Sequence, residues 1–300
     1  MDFELTEEQA MFRDMAKEFA ERKVAPTARE RDREQRYFPE IMTKMGEQGL
    51  FSIMVPQEYG GLGLDWTTMG LVAAELAAVD FSVGLHFFTH TSLEIMPILT
   101  AGTEDQKQKY LPGLMSGEIL GCTAAVEPNA GSDATAVETS AVLDGDEWVL
   151  NGNKTWITNA VHANFAVVLA QTDKSKGTKG ICTFIVDSDS PGYQSFALHN
   201  KLGCRSSDTG QLFFRDCRIP KSNLLGPMGK GMKTALTCIE HTRYGISWLA
   251  VGVMRACIEA STKYVLERHQ FGKPLAGFQM VQERIAEMVV AYEASRMLST

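Results

Sequence analysis

Apolar positions in the first part of the chain recur at helical spacing, and those of the middle part come in short runs. Thr6-Glu7-Glu8-Gln9 is a capping box, and Met11, Phe12, Met15 and Phe19 follow on one stripe, which predicts an amphipathic helix. The charged residues 29–33 cover a solvated face. Pro39 starts a short helix, since its missing N–H costs nothing in a first turn. Tyr59-Gly60-Gly61-Leu62-Gly63 reads as a turn: no strand precedes it and no Gly-Lys-Ser/Thr follows. Helices are expected at 67–78 and at 81–99, the second mixing Phe87, Phe88, Leu93 and Ile95 with His86, Thr89, His90, Thr91 and Glu94. A second capping box, Thr103-Glu104-Asp105-Gln106, opens a helix through Tyr110, with Leu111-Pro112-Gly113 after it.

Beyond residue 122 the period changes. Strand-like runs at 135–142, 147–150, 165–170, 181–186, 193–198 and 211–214 are punctuated by Asp, Ser, Gly and Pro. Asp144-Gly145-Asp146 is a hairpin signal, and Asn151-Gly152-Asn153 a second turn. Lys154-Thr155-Trp156-Ile157-Thr158-Asn159 follows, and alternation puts Trp156 and Thr158 on one face. After Pro227-Met228-Gly229-Lys230-Gly231 a long helix runs over 232–268, and another covers 285–298. The expected fold is α+β: an N-terminal helical domain over 1–122, a small antiparallel β barrel or sandwich over 123–226, and the start of a C-terminal helical bundle over 227–300.

Charge and composition narrow the function. A net charge of −8 argues against nucleic acid, whose phosphates call for clustered Lys and Arg. No apolar run is long enough to span a bilayer, so no membrane partner is expected. The opening MDFELTEEQ is acidic and polar, unlike a signal or transit peptide. The six cysteines form no C-x-x-C pair and read as free thiols of a reducing compartment, the cytoplasm; no metal site is expected.

The stretch richest in chemistry is 123–159. Gly131 lets the backbone approach a bulky group, and N–H groups beside Ser132 suit phosphate oxygens. Trp156 offers a flat aromatic and Thr158 a hydroxyl, a pairing that suits a large planar heterocycle. Singly, a Gly-Ser-Asp turn is usually only a turn and a strand Trp is usually core. Together, Val126-Glu127-Pro128-x-Ala130-Gly131-Ser132-Asp133 and Asn151-Gly152-x-Lys154-x-Trp156-Ile157-Thr158-Asn159 resemble the flavin-binding signature of the acyl-CoA dehydrogenase family. The helix opened by Thr103, the Lys201-Leu202-Gly203-x-Arg205-x-Ser207-x-Thr209 loop and Arg268-His269-Gln270-Phe271-Gly272 resemble the same family.

That resemblance implies FAD-dependent α,β-dehydrogenation of an acyl-CoA, with electrons passed to a carrier such as electron-transfer flavoprotein, in a homotetramer. It implies cofactor contacts at Thr123, Ala125, Val126, Gly131, Ser132, Trp156, Ile157 and Thr158. Arg268, Gln270, Phe271 and Gln279 are expected to hold the FAD of a neighbouring subunit. Thr89, Ser132, Glu240 and Arg243 are the implied substrate contacts; Glu240 and Arg243 lie at i and i+3 and share a face. Two departures matter. Many relatives carry Thr where this chain has Val126, a loss of one hydrogen bond of roughly 0.5–1.5 kcal/mol. Glutaryl-type members carry an Arg where this chain reads Ser82-Val83-Gly84, so an acyl group with a free terminal carboxylate is not expected. No catalytic base is evident: a minority of the family places one at the position of Thr242, relatives carry it beyond residue 300, and Glu94 is a distant fallback. A non-catalytic FAD- or acyl-CoA-binding module and a flavin oxidase or monooxygenase are the alternatives.

Overall fold

The computed structural model describes residues 4–300. In chain order, α1 (Glu7–Phe19) runs through a π-helical turn (Ala20–Val24) into α2 (Ala25–Glu34), followed by α3 (Pro39–Glu47) and α4 (Trp66–Val79). α5 (Phe81–Thr89), a second π-helical segment (His90–Ile95) and α6 (Met96–Ala101) are continuous. α7 (Glu104–Ser116) precedes the strands β1 (Gly121–Ala124), β2 (Ser140–Asp144), β3 (Glu147–Thr158), β4 (Phe165–Gln171), β5 (Ile181–Asp187), β6 (Tyr193–Ala197), β7 (Thr209–Pro220) and β8 (Leu224–Leu225). α8 (Gly231–Glu267), the hairpin β9 (His269–Gln270) and β10 (Lys273–Pro274), and α9 (Gln279–Ser299) complete the chain. Both expected capping boxes form, at Thr6 with Gln9 and at Thr103 with Gln106. Among the described residues no helix is long and apolar enough to cross a membrane.

Contacts divide the chain into two compact units: residues 1–29, 65–85 and 243–300, and residues 30–64 and 86–242. In the first, α1 packs on α4, and Gln9 Nε2 donates to Asp65 Oδ2 at 3.0 Å, beside the Asp65 cap of α4. Gly70 lies under the Trp248 indole, where a Cβ would collide with the ring. The Arg255 guanidinium grips the buried Glu75 carboxylate through two bonds of 2.5 Å.

The second unit holds the sheet, ordered β6-β7-β3-β2-β4-β5-β8 with β1 beside β4. Most neighbours are antiparallel, as the short punctuated runs predict; β1 and β2 run parallel to β4. Its core holds Trp148, Leu150, Ile157, Phe184, Leu212 and Phe214, with the Trp148 and Phe184 rings edge to face at 5.1 Å. Phe38, Met42, Leu50, Phe51, Phe87 and Phe88 fill the helical part. Each such buried side chain contributes roughly 1.5–3 kcal/mol.

Four local expectations are corrected. Arg31, expected on a solvated face with its charged neighbours, is buried with its guanidinium 5.5 Å from the centre of the Phe38 ring. Asn151-Gly152-Asn153 is not a turn: β3 passes straight through, and the register shift there puts the extra residue on β7, where Asp216 takes φ 47°; Gly152, at φ 155°, lies against Thr139, where a Cβ would clash. The strand expected from 135, β2, begins at Ser140, because residues 135–139 curl under the Asp133 carboxylate and the Glu127 side chain. α7 runs through Pro112 to Ser116 and ends on left-handed Gly117; the carbonyl that Pro112 leaves unbonded belongs to solvent-exposed Gln108.

Candidate functional site

Glu127 organises the loop of the first motif. Its N–H and carbonyl exchange bonds with Ala130 at 2.9 and 3.2 Å, closing a tight turn. Its carboxylate turns inward to accept the N–H of Glu138 (2.7 Å), the N–H of Thr139 (3.0 Å) and the Lys154 ammonium (2.7 Å). Burial pulls the Lys154 ammonium down to about 8 against the attraction of Glu127. Burial pushes the Glu127 carboxyl up, but the Lys154 charge and the Thr139 and Glu138 bonds outweigh it and hold it below the usual range. The turn therefore projects Asn129, Gly131, Ser132 and Asp133 outward on a base pinned to β3. A Cβ built on Gly131 would meet nothing within 4 Å, and the exposed Ser132 hydroxyl has no partner among the described residues.

β3 supplies the second half. Lys154 and Thr155 are both buried, so alternation breaks, and the register against β7 slips between Lys154 and Ile157. The extra residue is absorbed at Trp156, which takes φ 59° and stands 64% exposed. A bulge is the usual device for re-aiming a side chain beside a site. Ile157 is buried in the core, and half-buried Thr158 keeps a hydroxyl with no partner among the described residues. Trp156 and Thr158 thus flank Ile157 on the open side of the strand, for a different reason than simple alternation.

The remaining expected residues take varied positions. Thr123 donates its hydroxyl to the Leu93 carbonyl, so that side chain is committed inward. The carbonyls of half-buried Ala125 and Val126 accept from Lys154 Nζ (3.4 Å) and Thr155 N (3.0 Å), fixing both peptide planes. Buried Thr89 donates to the His86 carbonyl at 3.3 Å. Glu240 and Arg243 are exposed on α8 and neither carries an ion pair among the described residues. Thr242 donates to the Cys238 carbonyl at 2.9 Å. Arg268, Gln270 and Gln279 are exposed; Phe271 stands 92% exposed at φ 52° and Gly272 at φ 76°, the two-residue turn of the β9–β10 hairpin.

Glu94 carries more than the sequence foretold. It is buried, Oε1 accepts from Asn159 Nδ2 at 2.8 Å, and Oε2 accepts from Gly121 N at 3.1 Å and meets His90 Nδ1 at 2.5 Å. An acid that saturated is not poised to take a proton from a carbon. Sequence spacing offers one signal, the i, i+4 relation of His90 and Glu94; Asn159 and Gly121 join only through the fold.

The exposed aromatic, free hydroxyls and open glycine fit a large planar ligand with a polar arm. Family models match the chain as acyl-CoA dehydrogenase N-terminal domain over residues 6–118, middle domain over 122–217 and C-terminal domain over 229–300. The probable acyl-CoA dehydrogenase YngJ of Bacillus subtilis is 42% identical over 99% of this chain and 79% of its own. A chain solved in work on the electron transferring flavoprotein of Acidaminococcus fermentans and flavin-based electron bifurcation is 43% identical, with a TM-score of 0.97 over 100% of this chain and 79% of that one. Butyryl-CoA dehydrogenase from Megasphaera elsdenii is 38% identical, also with a TM-score of 0.97, over 100% and 79%.

Proposed function

Because the chain belongs to the acyl-CoA dehydrogenase family, we propose that it acts with FAD to remove a proton and a hydride from the α and β carbons of a short acyl-CoA thioester, giving the enoyl-CoA. The observation that carries this reading is the ledge made by exposed Trp156 and the free Thr158 hydroxyl. FAD, when bound, supplies the two-electron acceptor for the hydride. The residues of this chain bind and align. Trp156 offers a face on which the isoalloxazine stacks, and Thr158 directs an O–H at its edge. Gly131 leaves room for the polar arm, and Ser132 hydrogen-bonds it or the CoA. Thr89 lines the acyl pocket, and Glu240 and Arg243 meet the CoA moiety. Glu94 and Thr242 are both spent on internal bonds, so neither is the base.

Arg268, Gln270, Phe271 and Gln279 hold the pyrophosphate and adenosine of a neighbouring subunit's FAD in a homotetramer; their shared exposure supports this, and Arg suits bidentate phosphate contact. Electrons leave to an electron-transferring flavoprotein, and the protein works in the cytoplasm. Support for a free-thiol compartment comes from cysteines that form no disulfide among the described residues, of which Cys122, Cys182, Cys217 and Cys238 are buried.

The test is anaerobic titration of the purified, FAD-loaded protein with butyryl-CoA and longer acyl-CoAs. Bleaching of the flavin band, strongest with the short thioester, is expected. Flavin uptake without bleaching by any acyl-CoA would leave a binding module instead, and rapid reoxidation by O₂ would mark an oxidase. Trp156→Ala should weaken FAD binding about tenfold, the equivalent of one aromatic stacking contact of ~1.4 kcal/mol, by fluorescence titration.

A further inference from the structure

The π-helical segment His90–Ile95 is joined to β1 and to the end of β3 by polar bonds that the proposed chemistry does not use. A π turn inserts a residue and loosens the helical bonding pattern, and such turns gather at functional sites. Here the Leu93 carbonyl accepts from Thr123 of β1. One residue on, the Glu94 carboxylate gathers donors from three places: Gly121 N at the start of β1, Asn159 Nδ2 just past β3, and His90 of its own segment. His90 Nε2 lies 2.8 Å from the Leu114 carbonyl, which can only accept, so that nitrogen carries a hydrogen. Nδ1 and Glu94 therefore share one proton between them.

Asn159 follows Thr158 directly. It is buried in a left-handed conformation (φ 65°), with its own N–H on the Asp208 carbonyl at 3.1 Å and its Oδ1 accepting from Tyr37 at 3.4 Å. Trp156 holds the same unusual conformation three residues earlier. Asparagine visits the left-handed region readily, whereas a tryptophan there is uncommon and depends on its surroundings. At Trp156 the side chain is exposed and supplies no such contact; at Asn159 the side-chain amide is held by Glu94 and Tyr37, and the backbone N–H by Asp208.

From this geometry we propose that Glu94, backed by His90, is a positioning residue: through Asn159 and Gly121 it sets the distance and angle between β1 and the Trp156–Thr158 ledge. This rests on the flavin reading for its catalytic meaning. Glu94→Gln removes one acceptor and sets an amide N–H against either Asn159 Nδ2 or Gly121 N–H, both of which can only donate. The companion change Asn159→Asp returns an acceptor to that N–H, so Glu94→Gln with Asn159→Asp restores the link with donor and acceptor exchanged.

The experiment uses the FAD-loaded protein and, in parallel, the flavin-free protein labelled with 5-fluorotryptophan, its Trp156 signal assigned by Trp156→Phe. Glu94→Gln is expected to change the equilibrium constant for two-electron reduction of the bound flavin about tenfold, close to 30 mV, with KM altered less than twofold. The Trp156 fluorine resonance should shift, and the double variant should return both readouts towards wild type. If Glu94→Gln does not fold, Asn159→Ser cuts the same link and should shift both in its place. An unchanged potential together with an unmoved fluorine signal in a folded variant overturns the proposal. If wild type takes up no flavin, the functional reading falls while the fluorine signal still decides the positioning claim.

Discussion

Lys154→Met should destabilise the protein by about 3–5 kcal/mol, the range for removing one partner of a buried ion pair. Methionine fills much of the lysine's volume, so packing is a small part of the loss. The larger part is Glu127, left buried with only the Glu138 and Thr139 amides on its carboxylate. Lys154→Met with Glu127→Leu removes both charges, and in many proteins that would recover most of the stability. Here it should not, because the same carboxylate satisfies two backbone N–H groups, each costing about 1–3 kcal/mol when orphaned in the interior. Urea unfolding of the single and double variants reads this directly. Full recovery in the double variant would mean that the carboxylate does not hold the loop, and that the outward display of Gly131 and Ser132 has another cause.

The pair also shows what can be read from the chain beforehand. Helices, their caps and most strands follow from spacing alone: Thr6 and Thr103 announce their helices, and Asp144-Gly145 its hairpin, because those signals act within four residues. Trp156, Thr158, Gly131 and Ser132 are legible as a pattern. The bulge that turns Trp156 outward is not, since it arises from the register of β3 against β7, residues some sixty positions away. Gly152 fails as a turn for a related reason: Thr139 across the sheet needs its empty Cβ position, and no local rule records that. Pro112 ends a helix only where its lost bond matters, and beside exposed Gln108 it does not. Glu94 and Thr123 were each legible as polar residues near the motif; that their side chains face each other's segments depends on β1 meeting the π turn.

Acid should expose a second buried dependence. His86 lies wholly inside the second unit, edge to face with Phe38 at 5.2 Å and with Nε2 2.8 Å from the Ser207 hydroxyl. Burial is the main cause that pulls its imidazole down to about 3; nearby Asp208 and the Asn159 amide oppose that, while Lys201 and His90 add to it. Between about 6.5 and 3, then, the unfolded chain binds a proton that the folded chain refuses. The stability this confers is fully present above the unfolded value and is lost as the pH falls through the window, by about 1.4 kcal/mol per unit and on the order of 4–5 kcal/mol in all. Asp208 acts in the same direction. Burial raises its carboxyl, but His162 and the Val161 and His162 amides hold it below the ordinary value, so its contribution too fades on acidification. His86→Gln keeps an amide for Ser207 and removes the titration. It should be the less stable protein at pH 7, and its deficit should shrink by more than 1 kcal/mol for each unit below pH 6.5 in urea unfolding. A deficit that stays constant from pH 7 to pH 4.5 would show that His86 is not the group the fold keeps neutral, since Asp208, held below the ordinary carboxyl value, loses its contribution only as the pH falls below 3.8.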